Sequence, residues 1–137
     1  MADLEEHEKR ARALLLIDHG SRRAEANALL VEVASLVEAR LGAEAIVEPA
    51  HMEIAGPTIA EGFARCVARG ARTVVAHPFM LAPGRHVTED LPRLVAEAAA
   101  EHEGVRFVVA EPLGGHPGVI DAVVERCRAA SAELGDG

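Results

Sequence analysis

The chain has 137 residues, a formal net charge of −8, three Phe and no Trp or Tyr. Its length fits one domain with its own core, and a composition that is half hydrophobic argues against a disordered chain. The negative charge and the scarcity of aromatic residues disfavour nucleic acid and anionic membranes as partners.

The first 12 residues read as a polar leader that lacks the apolar stretch of a secretory signal. The first apolar run, at 13–17, is far too short to span a bilayer. Cys66 and Cys127 lack motif spacing and fall in amphipathic stretches, which predicts two buried thiols in a reducing compartment. We therefore expect a cytoplasmic protein with a single domain at 13–134.

Strand and helix patterns alternate along the rest of the chain. Continuous apolar runs predict buried strands, and apolar positions three and four apart predict amphipathic helices. In chain order we expect a strand at 13–17, a helix at 24–41, a strand at 45–52, a helix that Pro57 opens and that ends near Gly70, a strand at 73–76, a helix from Thr88 or Asp90 to His102, a strand at 105–110 and a helix from Pro117 to about Leu134. This order predicts a four-stranded parallel sheet with helices on both faces, a three-layer α/β domain.

Histidines collect at one edge of the predicted sheet. In sheets of this kind, ligands bind outside the carboxyl ends of the strands. Five of the seven histidines lie in or just before the four connections that leave those ends: His19, His51, His77, His86 and His116. Their concentration predicts a functional site at this edge.

Two of these histidines are candidate metal ligands. His19 follows the first buried strand directly, and His86 stands just before the third predicted helix. Two neutral imidazoles from separate strand ends can bind a divalent transition metal and leave positions open for a substrate. A lone histidine is more often satisfied by a loop carbonyl, but the pair favours a metal site. His51 and Glu53 share a strand face and could form an auxiliary metal site, although a packed or hydrogen-bonded His51 is favoured.

Four short motifs occur in order at the strand ends: His19-Gly20-Ser21-Arg22 followed by Asn27, Met52-Glu53 with Pro57, Phe79 to Val87 continued by Asp90-Leu91-Pro92, and Leu113 to Pro117. Together they resemble the small sirohydrochlorin chelatases, over a range from about Ala13 to Cys127. Each motif is short, and four in order on one βα pattern are specific. The family usually has an aromatic residue where His51 stands and an apolar residue where His77 stands, which leaves the metal preference open.

The resemblance implies a class II chelatase, a lyase-type enzyme that inserts a divalent metal ion into sirohydrochlorin without ATP and without an organic cofactor. The ion is cobalt, ferrous iron or nickel and is itself a substrate, and the product serves cobalamin or sirohaem biosynthesis. The resemblance also implies a chelatase-like (flavodoxin-like) fold, a homodimer, and metal binding and catalysis by His19 and His86.

The chemistry of insertion suggests roles for the remaining candidates. The macrocycle loses two protons as the metal enters, so the site needs a base. His19, His86 or Glu53 could accept these protons, and Glu53 could equally be a third metal ligand or a helix-start carboxylate. The guanidinium groups of Arg22 and Arg85 flank the two key histidines and suit substrate carboxylates. The other candidate substrate contacts lie in the loops after the first and last strands: Ser21, Gly114, Gly115 and His116.

Three other functions compete with metal insertion. A tetrapyrrole or metal carrier would use the same ligands without turnover. A histidine phosphatase also places its nucleophile after a strand, but Asp18 stands where an arginine should hold phosphate. An anion-binding regulatory domain could use Gly20-Ser21-Arg22 as a phosphate nest, and it would leave His86 unexplained.

Overall fold

A computed structural model describes residues 11–135, so all but two residues of the expected leader at 1–12 lie outside the described residues. Strands and helices alternate through this range: β1 (Arg12–Asp18), α1 (Ala24–Leu41), β2 (Ile46–His51), α2 (Ile59–Ala68), β3 (Thr73–Pro78), α3 (Arg85–Ala100), β4 (Arg106–Val109) and α4 (Pro117–Ala132). The predicted order of elements is confirmed. None of the helices in this range is long and apolar enough to cross a membrane.

The four strands form one parallel sheet in the order β2–β1–β3–β4. β1 lies in the centre, where the successive residues Leu15 and Leu16 face opposite sides and are both buried. This position explains the continuous apolar run of β1, because a strand covered on both faces needs no alternation. At the carboxyl end of the pair, Asp18 of β1 lies opposite His51 of β2. The predicted fold class is confirmed.

The two faces of the sheet are covered unequally. On one face, which we call the two-helix face, α2 and α3 pack against each other and fourteen buried residues form a core that includes Leu15, Phe63 and Val95. On the other, the one-helix face, α1 covers β1 and β2. The core there has four buried residues: Leu16, Leu30, Ala34 and Val47. α4 contributes to neither core and has no buried residue.

α2 begins at Ile59, so the prediction that Pro57 opens this helix is wrong. Thr58 is the N-cap. Its hydroxyl accepts a hydrogen bond from the Glu61 N–H at 3.1 Å, and the Glu61 carboxylate accepts one from the Thr58 N–H at 3.0 Å. This capping box satisfies two donors at the helix start, which a proline at that position would not do.

α3 begins at Arg85, about a turn before the predicted start. The earlier start adds Val87 to the buried stripe of the helix. Burial of such a side chain, worth roughly 1.5–3 kcal/mol, helps to offset the hydrogen bond that Pro92 cannot donate inside the helix. His86 therefore lies in the first turn of α3 and not in the loop before it.

The two cysteines have different surroundings. Cys66 of α2 is fully buried, and burial raises the pKa of its thiol to about 12. Cys127 lies exposed on α4, so the prediction of a second buried thiol is wrong. Both are free thiols. The cause is the position of α4, whose apolar residues are not covered by the other elements of residues 11–135.

Candidate functional site

The loops after β1 and β2 are joined by backbone hydrogen bonds. The Met52 N–H donates to the Asp18 carbonyl at 2.9 Å, and the Glu53 N–H donates to the His19 carbonyl at 3.1 Å. Gly20, with a φ of 91°, permits this approach, because a Cβ there would lie 1.9 Å from the Glu53 carbonyl oxygen. Two predicted catalytic residues, His19 and Glu53, thus lie on adjoining backbone segments, and both are exposed.

Asn27 fixes the next part of the loop after β1. Its side-chain oxygen accepts a hydrogen bond from the Ser21 N–H at 2.9 Å, and its side-chain amide donates to the Ser21 carbonyl at 2.7 Å. The Ser21 hydroxyl in turn accepts from the Arg23 N–H at 3.0 Å. The predicted substrate contact Ser21 is therefore firmly positioned, and the neighbouring Arg22 is exposed.

His51 is a structural histidine. Its side chain is 1% exposed, and its Nδ1 lies 2.5 Å from Asp18 Oδ1, which also accepts the Gly20 N–H at 3.0 Å. Asp18 therefore ties the end of β2 to the turn that carries His19. This agrees with the favoured interpretation of a packed, hydrogen-bonded His51, since Glu53 is exposed and lies in different surroundings. Asp18 was not predicted as the partner of His51, because only the register of the parallel strands places the two residues side by side.

His86 is held by a carboxylate one turn further along α3. Its Nδ1 lies 2.8 Å from Asp90 Oδ2, and the imidazole is 74% exposed. Because a carboxylate can only accept, this contact favours a neutral ring with its proton on Nδ1 and a lone pair on Nε2. Arg93 Nη2, 3.4 Å from Asp90 Oδ1, steadies the carboxylate. A neutral His86 ring of this tautomer can bind a metal through Nε2.

His116 uses its ring nitrogens in the opposite way. It is the N-cap of α4, and its Nδ1 accepts a hydrogen bond from the Gly118 N–H at 2.9 Å. The proton of the neutral ring is therefore on Nε2, which suits a substrate carboxylate and not a metal. In the same loop the Gly114 N–H donates to the Leu81 carbonyl at 2.9 Å, so this predicted backbone donor is already used. Gly115 is exposed.

The predicted carboxylate-binding arginines lie on the elements that carry the two key histidines. Arg22 is in the loop of His19, and Arg85 precedes His86 at the start of α3. Arg85 Nε is 3.1 Å from Glu89 Oε1, and both side chains are largely exposed. Exposed pairs of this kind are weak, so a substrate carboxylate can replace Glu89.

An apolar cavity of about 330 Å³ adjoins the first turns of α3. It lies where that helix meets the ends of β3 and β4, and it includes Val87 and Thr88, which directly follow His86. The other lining residues are Pro78, Pro83, Leu91, Pro92, Val109, Ala110 and Pro112. Apolar walls and a volume of this order are typical of small-molecule sites. The cavity was not predicted from the sequence, although the prolines that recur beyond the strand ends could have indicated it.

Within residues 11–135, no three His, Cys, Asp or Glu side chains are grouped as metal ligands. The structure therefore does not assemble Glu53 with His19 and His86 as a three-ligand centre in one chain. What it does provide is two exposed imidazoles on neighbouring βα connections.

Fold and site together define a class of protein, a three-layer parallel α/β domain with a histidine-bearing site at the carboxyl edge of its sheet. The family model described as CbiX matches residues 13–130. The chain belongs to the CbiX family, and the resemblance carried by its motifs is confirmed.

Curated relatives differ in length. The chloroplastic sirohydrochlorin ferrochelatase of Arabidopsis thaliana is 45% identical over 116 residues, which are 85% of this chain and 51% of the relative. The sirohydrochlorin cobaltochelatase of Methanocaldococcus jannaschii is 30% identical over 138 residues, with 83% and 96% covered. The chain thus spans about half the length of the plant relative and nearly all of the archaeal one.

Solved structures share the fold. The sirohydrochlorin chelatase SirB from Bacillus subtilis subspecies spizizenii, in complex with cobalt, has a TM-score of 0.77 and 30% identity, over 86% of this chain and 50% of that chain. A putative cobalamin biosynthesis CbiX protein from Marinobacter aquaeolei VT8 has a TM-score of 0.75 and 27% identity, over 89% and 98%. The chelatase-like architecture expected from the resemblance is therefore confirmed.

Proposed function

We propose that this protein inserts a divalent metal ion into sirohydrochlorin in tetrapyrrole biosynthesis, without ATP or an organic cofactor. Cobalt and ferrous iron are the first candidates, and nickel is the third. The observation that carries the proposal is His86, whose Nδ1 contact with Asp90 leaves Nε2 free for a metal at the ligand-binding edge of the sheet. The names of the relatives support the same activity.

In this mechanism His19 and His86 hold the incoming ion. Two imidazoles bind cobalt, ferrous iron or nickel but leave most coordination positions to water and to the pyrrole nitrogens. A closed thiolate cage would hold the ion too tightly for transfer. Asp90 fixes the orientation of the His86 ring, and the hydrogen-bonded turn after β1 fixes the backbone of His19.

Glu53 is our candidate for the base. Each divalent ion that enters the macrocycle displaces two pyrrole protons, so the charge balances and the protons need an acceptor. The Glu53 carboxylate is exposed beside the backbone of His19, to which its N–H donates at 3.1 Å. It can pass the first proton to water before it accepts the second.

The substrate carboxylates require local positive charge, because the net charge of −8 repels a polyanion. Arg22 and Arg85 supply forked donors, and His116 adds the Nε2–H that its cap geometry leaves free. Ser21 and Gly115 are further contacts in the same loops. The apolar cavity beside α3 can take an edge of the macrocycle.

The test is the initial rate of metal insertion, followed anaerobically through the visible spectrum of sirohydrochlorin with each ion in turn. We expect acceleration over the reaction without protein. Tight binding of sirohydrochlorin or metal without acceleration would favour the carrier instead, and no interaction with either would contradict the proposal.

We also infer that the working form is a homodimer. The chain matches nearly the whole length of some relatives and about half of others, which suits a unit that acts in pairs. The cytoplasmic location, the single domain at 13–134 and the absence of nucleic acid and membrane partners stay predictions. Light scattering that gives a particle of 14.4 kDa at micromolar concentration would contradict the dimer.

A further inference from the structure

α4 is an amphipathic helix whose apolar side is not covered by the rest of residues 11–135. Its apolar residues recur at spacings of three and four, which we call the α4 stripe: Val119, Ile120, Val123, Val124, Cys127 and Ala130. Ile120 and Val123 are 52% and 62% exposed. A stripe of this kind on a helix of 16 residues normally faces a core.

A second uncovered apolar surface lies on the one-helix face of the sheet. Val75 of β3 is paired with both Leu14 of β1 and Val108 of β4 in the register, so these three side chains share a face. Leu14 packs in the core under α1, which identifies that face. In the described chain no helix packs over β3 and β4 on this side, and Val108 is 54% exposed.

α1 forms one wall of this surface. Its Glu38 carboxylate accepts the Val47 N–H at 2.8 Å, which places the Glu38 flank of the helix beside β2. With about 3.6 residues per turn, Leu29 and Leu36 lie on the opposite flank, towards β3 and β4. Both are more than half exposed. We call the surface formed by this flank with Val75 and Val108 the open groove.

The loop before α4 directs the helix away from the open groove of its own chain. The Leu113 N–H donates to the Met80 carbonyl at 2.9 Å, and the Gly114 N–H donates to the Leu81 carbonyl at 2.9 Å. Gly114 adopts a φ of 50°, and His116 caps the helix that follows. The exit of α4 is therefore fixed by hydrogen bonds to the loop after β3, and the helix makes no extensive contact with the rest of residues 11–135.

We propose that the α4 stripe of each chain packs into the open groove of a second copy, so that two copies exchange their last helices. The two surfaces match in apolar character, and reciprocal exchange gives a closed twofold interface. A 16-residue helix is about 24 Å long and about 10 Å wide, so two exchanged helices bury on the order of 1,000 Å², near the lower limit of a specific interface. The proposal specifies the contact of the homodimer inferred above and does not depend on metal insertion.

Cross-linking through native Cys127 tests which chain fills the groove. In the Val108→Cys variant a short bis-maleimide should join Cys127 of one copy to the new thiol of the other, giving a species of twice 14.4 kDa under denaturing conditions. Buried Cys66, with a thiol pKa of about 12, should not react. Val108→Cys combined with Cys127→Ser, and the unmodified chain, are the controls. A cross-link within one chain would overturn the exchange, because α4 would then cover its own sheet.

Matched aspartate substitutions test the stripe itself. Val123→Asp lies in the α4 stripe, whereas Ala129→Asp lies on the other side of the same helix, and both positions are exposed within one chain. Light scattering should give a dimer for the unmodified chain and for Ala129→Asp, and a 14.4 kDa monomer for Val123→Asp, with equal circular dichroism. A dimer in all three would place the contact elsewhere and overturn the exchange while leaving the homodimer intact. If the unmodified chain shows the exchange but does not accelerate metal insertion, only the proposed enzyme function is contradicted.

Discussion

The β3–α3 and β4–α4 units have the same order of strand, loop and helix, but they differ in the contacts of their histidines and in the burial of their helices. In each, a parallel strand leads through a loop into a helix of 16 residues with a histidine at its start. His86 Nδ1 lies 2.8 Å from the Asp90 carboxylate, whereas His116 Nδ1 accepts a hydrogen bond from the Gly118 N–H. α3 buries a full stripe and α4 buries nothing. The comparison shows that the βα unit determines where a histidine lies, while the residues that contact the imidazole determine which ring nitrogen is free to bind a ligand.

The largest expected difference between the two units is in stability. Leu91→Ala removes a buried side chain of α3 and should lower the free energy of unfolding by about 2–5 kcal/mol. Ile120→Ala on α4 should cost no more than about 0.5 kcal/mol in a dilute monomer, because the side chain is already half exposed. Urea denaturation of both variants at several protein concentrations measures the difference.

The dependence of stability on protein concentration distinguishes coverage of α4 by a second copy from packing of α4 within its own chain. If a second copy covers the helix, the cost of Ile120→Ala rises with protein concentration. The cost of Leu91→Ala should not change. A large cost of Ile120→Ala that is independent of concentration would mean that α4 is packed within its own chain, and the contrast between the units would disappear.

The next effect is on catalysis. Loss of the free Nε2 in His86→Ala should lower kcat/KM on the order of a hundredfold or more, since even indirect partners of metal ligands are worth 10–100-fold. His19→Ala should be similar. His116→Ala should cost less than about tenfold, because it removes one substrate contact and a cap. Initial rates with circular dichroism as the folding control measure this, and equal losses at positions 86 and 116 would refute the assigned tautomers.

Sequence patterns predict the repeated βα units well, but they predict poorly which side chains contact each other and what each helix packs against. The buried strands were visible because a strand covered on both faces keeps a continuous apolar run, as in β1. The contact of His86 with Asp90 was not predicted, because the predicted start of α3 left His86 outside the helix that carries Asp90. The α4 stripe has the same spacing as a packed stripe, so no local pattern could show that α4 leaves its own sheet.

Asp90→Asn tests whether the carboxylate sets the His86 tautomer. The new amide can donate to Nδ1, which moves the ring proton to Nε2 and blocks the metal. We expect a tenfold to hundredfold rise in the KM for metal, with little change in the KM for sirohydrochlorin. Glu89→Gln removes a carboxylate of the same turn that does not touch His86 and should leave the metal KM unchanged. If both variants behaved alike, Asp90 would have no special role.

Arg85→Ala should have a smaller effect, because the guanidinium is exposed and already paired with Glu89. We expect the KM for sirohydrochlorin to rise by up to about tenfold with kcat nearly unchanged, since the contact exists before and during insertion. Lys should restore only part of the affinity, because it lacks the planar fork. Arg128→Ala on α4 is the control from the other unit. An unchanged KM at low salt, where charge attraction is strongest, would make Arg85 a surface residue.

The smallest expected effect concerns His77 of β3, which faces the side of the sheet that the α4 stripe would cover. Its pKa lies below the ordinary value of 6.5 because burial disfavours the charged ring, and its Nδ1 has no hydrogen-bond partner among residues 11–135. The folded state therefore binds this proton less readily than the unfolded state. Stability linked to His77 is complete above about pH 6.5 and is lost as the pH falls from there through the folded pKa.

Titration of the His77 ring by NMR checks this directly and reports on α4 at the same time. We expect a pKa below 6.5 in the unmodified chain and a value closer to 6.5 in Val123→Asp, because an undocked α4 lets water reach the one-helix face. His77→Gln should reduce the loss of stability as the pH falls below about 6.5 and should change nothing above that pH. A His77 pKa at or above 6.5 would mean that the ring is solvated or paired. An identical pKa in Val123→Asp would mean that α4 does not cover β3, so the β4–α4 unit would differ from β3–α3 in leaving its helix in water.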